Sequence, residues 1–439
     1  MATGPWAYGL RSVANSQIDL VFATNTLGIG GTERGLVAQA TAIRDKRLRP
    51  RAVGILEGGA RAAVLERDGL RVDVAGGDED RLAEILRGAD VVIVMRQGVR
   101  EPLLPAAARR AGVRHLVEWN QFGHRDRSPD GRDFACHLFV SQMVEVRYRE
   151  MVGDHTPGFH QRHRVQYLPV DQTLRELAPP RAEAKEALGL DPARPVVGRI
   201  GRAADAKWRD LLVDMVPKLL SLVPEAQVVF VGTTPAKRRR LKRKGVLERC
   251  LLLEPTTDEK RLATITAACD VSVGASRIGE SLGLANLEAM SLGIPVVTCS
   301  TPWADNAQVE FVEHGVTGMI ANHPRPFAEA VATLLRDDEL RSRLGVAAAA
   351  LVRERFDLGA LTSQLERLCI TLADEGRVPE EWSPSPAAVD AFSHEYERRS
   401  ALEFRPLTSS ERLQAELTRR RERVAELRDV ARVSLSRRS

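Results

Sequence analysis

Short, almost continuously apolar segments alternate with helical ones along this chain, and the alternation runs through twice. The first pass reads IDLVFATNT (18–26), RAVGIL (51–56), DVVIVMR (90–96), RHLVEWN (114–120), CHLFVS (136–141) and RVQYLP (164–169). Helical patterns lie between, one from about Thr32 and another at DRLAEILRGA (80–89). Strands this apolar belong in a parallel sheet whose two faces are both covered by helices. Residues 171–193 are polar and rich in Pro and Ala, which predicts a linker. The pattern then restarts with PVVGRIG (195–201), a helix over KWRDLLVDMVPKLLSLV (207–223), and AQVVFVG (226–232). CLLLE (250–254), DVSVGAS (270–276) and PVVTCS (295–300) follow, and helices fill about 324–376. This predicts an α/β protein of two doubly wound, Rossmann-like domains, 1–175 and 190–375, with a helical, charged C-terminal extension over 376–439. Two such sheets predict a ligand-binding interdomain cleft at the carboxyl ends of their strands.

Composition removes other classes. No apolar run approaches the ~20 residues of a membrane helix. The N-terminus MATGPWAYGL lacks a charged start followed by a long apolar stretch, so the expectation is a cytoplasmic protein. The five cysteines (Cys136, Cys250, Cys269, Cys299, Cys369) show no metal-ligand spacing and are expected to be buried free thiols. Residues 405–439 hold ten Arg, no Lys and five acids, so the whole net charge of +5 sits in that tail. An enzyme of nucleic acids carries its excess on the folded body, which argues against a nucleic-acid partner.

Four clusters at strand ends carry the candidate chemistry. Gly28-Ile29-Gly30-Gly31-Thr32-Glu33 follows the first strand, where small residues let backbone N–H groups approach a phosphate at a helix start. Glu33 breaks the G-x-G-x-x-G fingerprint, so a dinucleotide cofactor is not indicated, and a plain tight turn is an equal reading. Gly201-Arg202-Ala203-Ala204-Asp205-Ala206-Lys207 places two cations on one loop, able to neutralise a diphosphate without a metal, against a reading as solvated charges. Gly279-Glu280-Ser281-Leu282-Gly283-Leu284-Ala285-Asn286-Leu287-Glu288 sets two carboxylates around a helix start, good acceptors for sugar hydroxyls. Its plainer reading, a capped amphipathic helix, accounts for one Glu only.

The fourth cluster, Glu118-Trp119-Asn120-Gln121-Phe122-Gly123-His124, offers Glu118, Asn120 and His124 for an acceptor. His124 is the catalytic candidate there, although a lone histidine is more often structural than catalytic. Asp78-Glu79-Asp80 superficially matches a metal-binding D-x-D, yet it precedes a helix and reads as first-turn acid. The basic run Lys237–Lys244 reads as a solvated helical face. No metal-ligand cluster emerges.

The first three clusters, in this order and spacing, resemble the retaining GT-B glycosyltransferases of glycosyltransferase family 4, over most of residues 18–372. Glu280-x7-Glu288 leading into IPVV is the most specific element, then GR-x4-K from Arg202 to Lys207, then GG-x-E at Gly30 and Gly31. The resemblance implies a nucleotide-sugar donor held mainly by the second domain and an acceptor held mainly by the first. Arg202 and Lys207 would hold the diphosphate, Glu288 the ribose, and Glu280 the transferred sugar. The turn Leu282, Gly283, Leu284 would contact sugar and phosphate, and Gly30 and Gly31 would join the donor site. Leu282 stands where the family often has an aromatic, and the histidine many members carry at the fourth cluster has no assigned counterpart.

The expected activity is therefore metal-independent, retaining transfer of a sugar from a nucleoside diphosphate to an acceptor hydroxyl. No cofactor is expected. The acceptor is a small molecule or glycoside of bacterial secondary metabolism or the cell envelope. A nucleotide-sugar epimerase or hydrolase, and a catalytically silent sugar-nucleotide-binding scaffold, are the alternatives. Apolar residues at near-helical spacing in the tail, Leu413, Leu417, Val424, Leu427 and Val430, suggest docking on the protein itself or on a second copy, with membrane contact the lesser alternative.

Overall fold

A computed structural model describes residues 16–28, 30–96, 103–124, 133–170, 173–302 and 304–402. The chain forms two compact units. The first holds the described residues up to Leu138, with Gly153–Gln166 and Gly359–Ser385. The second holds Phe139–Val152, Tyr167–Leu358 and the described residues from Pro386.

The sheet of the first unit is built from β1 (Ile18–Thr26), β2 (Leu48–Glu57), β3 (Arg71–Val74), β4 (Val91–Arg96), β5 (His115–Asn120), β6 (Phe134–Phe139) and β7 (His163–Val165). Its order is β3-β2-β1-β4-β5-β6-β7, with β1 parallel to both β2 and β4. All six residues of β4 are buried, as a strand covered on both faces requires. RVQYLP supplies only a short strand. At Gln166 the chain leaves the sheet: its carbonyl accepts from Trp119 Nε1 (3.0 Å) and its side chain meets Gln364 (2.8 Å).

The second unit carries β8 (Val196–Arg199), β9 (Gln227–Val231), β10 (Cys250–Leu253), β11 (Val271–Gly274), β12 (Val296–Thr298) and β13 (Gly318–Ile320). Their order is β10-β9-β8-β11-β12-β13, parallel throughout. The winding direction reverses between β8 and β11, the position where open α/β sheets take ligands at their carboxyl ends. The second and third clusters follow these two strands.

Three expectations change. The stretch read as a linker is helical over Thr173–Leu177 and Arg181–Ala187. Ala184 packs fully buried against Ala267 and Ala268, and Lys185 pairs with Asp270 at 2.8 Å. Ala184, with Ala178 partly buried against the same cluster, therefore serves close helix packing inside the second unit. The helix expected over 207–223 is replaced by a 3-10 turn (Asp205–Lys207), extended Trp208, and short helices Leu211–Asp214 and Val216–Leu222. Buried Trp208 anchors the turn, and Pro217 lacks an N–H for a continuous helix. Third, the helix Leu358–Glu375 lies almost wholly in the first unit. There Asp374 pairs with Arg47 at 2.7 Å and Gln364 Nε2 donates to Ser383 O at 3.1 Å.

Asp78 caps a helix, accepting from Arg81 N, as its sequence position suggested. The described thiols are free and mostly buried, and burial pushes Cys269 up to about 12. Along the basic helix Pro235–Arg243, Arg238, Arg239, Lys242 and Arg243 are exposed. Among the described residues no helix is long and apolar enough to cross a membrane. The helix Pro386–Leu402 touches the second unit through Tyr396, whose hydroxyl accepts from Asn306 at 3.2 Å. The tail over 405–439 lies outside the described residues.

Candidate functional site

At the carboxyl end of β8, Arg199 does not reach outward. Its guanidinium is buried, donating to Val231 O (2.6 Å), Lys207 O (3.1 Å) and Arg202 O (3.4 Å), and it stacks 4.2 Å from the centroid of the Trp208 ring. Burial lowers its pKa to about 10, against a smaller opposing pull from Glu280, so it stays cationic at neutral pH. One planar donor fork thus holds the carbonyls at both ends of the GR-x4-K loop. The Arg202 side chain is exposed and, among the described residues, makes no ion pair. Lys207 Nζ meets Glu280 Oε2 at 2.7 Å, and both side chains are about one-fifth to one-quarter exposed (21% and 25%).

Glu280 belongs to the loop after β11, and its backbone is fixed on both sides. Its N–H donates to Gln308 Oε1 (3.1 Å) and its carbonyl accepts from Ala307 N (2.8 Å). Gly279 turns this loop with φ +68°, and a Cβ there would stand 1.5 Å from Asp305 O, so only glycine fits. Gly283 is the N-cap of the helix Leu284–Ser291 at φ +85°, in the left-handed region. The N–H groups of Leu284 and Ala285, the first two of that helix, lack an intrahelical partner, while those of Asn286 and Leu287 donate to the Gly283 carbonyl at 2.9 and 3.2 Å. Glu288 lies within the helix and is buried (9% exposed). Arg202, Lys207, Glu280, Leu282, Gly283, Leu284 and Glu288 therefore share the two loops and one helix at the reversal of the second sheet.

The first unit holds the remaining candidates. Gly30 is the N-cap and Gly31 the first residue of the helix Gly31–Ala42. Thr32 Oγ1 donates to Gln121 Oε1 at 3.3 Å, which links the first and fourth clusters. Asn120 is fully buried and organises a turn, accepting from Gly123 N (2.8 Å) and Phe122 N (3.2 Å) and donating to His124 O (2.8 Å). His124 is half-buried beyond it. Glu118 is buried at 2% exposure, with His137 Nδ1 at 2.6 Å and Arg96 at 3.5 Å, so its carboxylate is engaged inside this unit. His137 stacks on His163, and His163 on Phe159.

Asp305, Gln308 and Ser141, which fix the loop around Glu280, were not singled out in the sequence. A signal existed: the polar run Ser300-Thr301…Asp305-Asn306…Gln308 also follows a strand, β12. Among the described residues no group of three His, Cys, Asp or Glu is arranged to hold a metal ion.

Residues 194–337 match the family Glycosyl transferases group 1. This stretch is a glycosyl transferases group 1 domain. It contains all of β8–β13 and every candidate residue of the second unit. The phosphatidyl-myo-inositol mannosyltransferase of Mycobacterium leprae is 30% identical over 172 residues, 39% of this chain and 44% of that protein. The alpha-D-kanosaminyltransferase of Streptomyces kanamyceticus is 30% identical over 209 residues, 46% of this chain and 52% of that one. The chain thus spans about half the length of these relatives. The Anabaena HepE protein, solved with UDP and glucose, superposes with a TM-score of 0.66 at 20% identity, covering 80% of this chain and 98% of its own. The fold is GT-B, two parallel α/β units with helices following them.

Proposed function

We propose that this chain is a retaining, metal-independent glycosyltransferase that moves a sugar from a nucleoside-diphosphate donor to an acceptor hydroxyl. The observation that carries the reading is the Lys207–Glu280 pair at the reversal of the second sheet, with Arg202 exposed on the same loop and a helix N-terminus after Glu280. The departing diphosphate develops the negative charge of such a reaction. Fixed cations and oriented N–H groups are what that transition state needs. Both side chains keep some contact with solvent, so a diphosphate reaches Lys207 and takes the place of Glu280 as its partner. Glu280 is then released to accept from hydroxyls of the transferred sugar. Glu288 takes the ribose, and Leu282 to Leu284 offer backbone to sugar and phosphate. The first unit serves the acceptor, with His124 and the Asn120 turn as its polar groups. The acceptor belongs to the small molecules and glycosides of bacterial secondary metabolism or the cell envelope.

The test is a thermal-shift screen with UDP, GDP and their sugar conjugates, followed by nucleotide release with and without acceptor mixtures. Ligand at ~100 times its dissociation constant adds ~2.7 kcal/mol of stability. Release that depends on acceptor and survives EDTA supports the reading. Release at equal rate without acceptor makes the chain a hydrolase, and loss of activity on chelation removes metal independence.

A further inference from the structure

Asp305 sits behind the Glu280 loop with its carboxylate between two donors. Ser281 Oγ donates to Oδ2 at 2.8 Å, and Arg147 Nη1 lies 2.5 Å from Oδ1. The side chain is buried, which pushes its pKa up, while Arg147 beside it favours the carboxylate. Its backbone joins the same loop: its N–H donates to Ile278 O (3.2 Å), and its carbonyl accepts from Thr301 Oγ1 (2.5 Å).

Arg147 comes from a different part of the chain, the helix Gln142–Val152. That helix is anchored at its start by Glu310, a fully buried carboxylate. Glu310 accepts from Met143 N (3.1 Å), Gln142 N (3.3 Å) and the Tyr167 hydroxyl (2.7 Å). An anion at a helix N-terminus stabilises it, and here the anion is supplied by a neighbouring element. Just before the helix, Ser141 Oγ donates to Ser281 O at 2.7 Å. Both sides of Ser281 are therefore held from this one segment, the carbonyl by Ser141 just before the helix and the hydroxyl through Asp305, which Arg147 of the helix holds.

We propose that Asp305, held by Arg147, is a positioning residue that sets the Glu280 loop for sugar transfer without touching the donor itself. The inference rests on the glycosyltransferase reading for its kinetic consequence, and on the geometry alone for its structural one. A carboxylate buried beside one guanidinium and one hydroxyl fixes direction as well as distance. The amide of Asp305→Asn still accepts from Ser281 but gives up the charge that orients Arg147. Arg147→Met keeps most of the side-chain stem and removes the charge from the other end.

Two measurements on the full chain test this. Hydrogen exchange over residues 278–283 reads loop order directly. It is expected to quicken at least severalfold in Asp305→Asn and Arg147→Met, with the double variant no faster than either single one, as coupled partners behave. Kinetics with an active donor and acceptor are expected to show kcat lower by about 10- to 100-fold, the effect of sub-ångström to ~1 Å misplacement, with KM for the donor and UDP or GDP affinity nearly unchanged. Ser281→Ala, which deletes one hydroxyl, is expected to repeat the kinetic effect in milder form if either charge variant folds poorly. Unchanged exchange in all three variants overturns the positioning role, as does unchanged kcat. Quickened exchange in the variants, together with a wild-type chain that transfers no sugar from any donor, supports the positioning of the loop and removes the glycosyltransferase reading alone.

Discussion

Lys207 Nζ lies 2.7 Å from Glu280 Oε2, an ion pair that joins the loop after β8 to the loop after β11. The sequence reading assigns these residues to separate ligands, Lys207 to the diphosphate and Glu280 to the transferred sugar. The structure instead makes each the other's partner, because the reversal of strand order brings the two loops side by side.

That pairing sets the first prediction. Lys207→Ala and Arg202→Ala are each expected to weaken UDP or GDP binding by about 1.5–3 kcal/mol, roughly 10- to 150-fold, through a lost charge-assisted contact. Glu280→Ala is expected to leave free diphosphate affinity intact or tighter, because it removes the competitor for Lys207, while turnover falls about 100-fold. Calorimetry with the diphosphate beside turnover checks both. Weaker diphosphate binding in Glu280→Ala would show that the pair acts on the nucleotide together.

Glu288 is predicted to fail differently. It lies inside the helix Leu284–Ser291, buried and four positions beyond the cap-adjacent Leu284. Assigned to the ribose, it serves donor and free diphosphate alike. Glu288→Gln is therefore expected to weaken both by similar factors, about 10-fold or more for a hydrogen bond made by a charged group. Unequal losses, confined to the sugar-bearing donor, would move Glu288 to the sugar.

Arg199 carries a stability prediction. Its guanidinium serves three carbonyls and the face of Trp208. Lysine has one ammonium and cannot reproduce the planar fork. Arg199→Lys is expected to cost about 2–4 kcal/mol, the scale of buried carbonyls left without donors. For a unit of this size that lowers Tm by several degrees, at about 2–4 °C per kcal/mol. Diphosphate affinity is expected to fall as well, although Arg199 does not face the ligand, because both ends of the Arg202–Lys207 loop hang from it. Melting curves and calorimetry on one variant separate the two effects.

The double alternation was readable because a strand covered on both faces must be apolar along its whole length, as VVIVMR in β4 is. The candidate clusters were readable as segments that follow strands, where ligand residues gather in open α/β sheets, and the structure places Lys207 after β8 and Glu280 after β11. Pairing was not readable. Nothing local in Arg147 or Asp305 indicates that they meet, since 158 positions separate them and only the tertiary fold joins them. Arg199 shows the same limit from the other side. Nothing in its sequence context indicates that its guanidinium meets three carbonyls and the Trp208 ring and so holds the basic loop from within. Glu118 shows it again, a carboxylate in the right segment whose oxygen is taken by His137.

The last prediction concerns acid. His163 and His115, both in the first unit, have pKa values lowered to about 3 and about 4, in each case chiefly by burial. For His163 the neighbouring His137 lowers it further, and for His115 Arg114 does. A histidine depressed in the folded state stays neutral there while the unfolded chain takes up a proton near the ordinary value of about 6.5. Stability from this source is whole above about pH 6.5 and falls as pH drops toward 4 and then 3, by up to about 1.4 kcal/mol per pH unit for each group. Buried Glu310 and Asp305, whose pKa values are raised, act in the opposite sense at the acid end, so the wild-type profile alone is a mixture. His163→Phe isolates one contribution. Phenylalanine keeps the stack between Phe159 and His137, whose rings lie 4.0 and 4.9 Å away, and cannot take a proton. Urea unfolding at several pH values between 4 and 7 is expected to give a shallower loss of stability in the variant than in the wild type, with the two curves converging or crossing as pH falls. Parallel curves across that window would show that His163 titrates alike in the folded and unfolded chain, and that its burial does not oppose protonation.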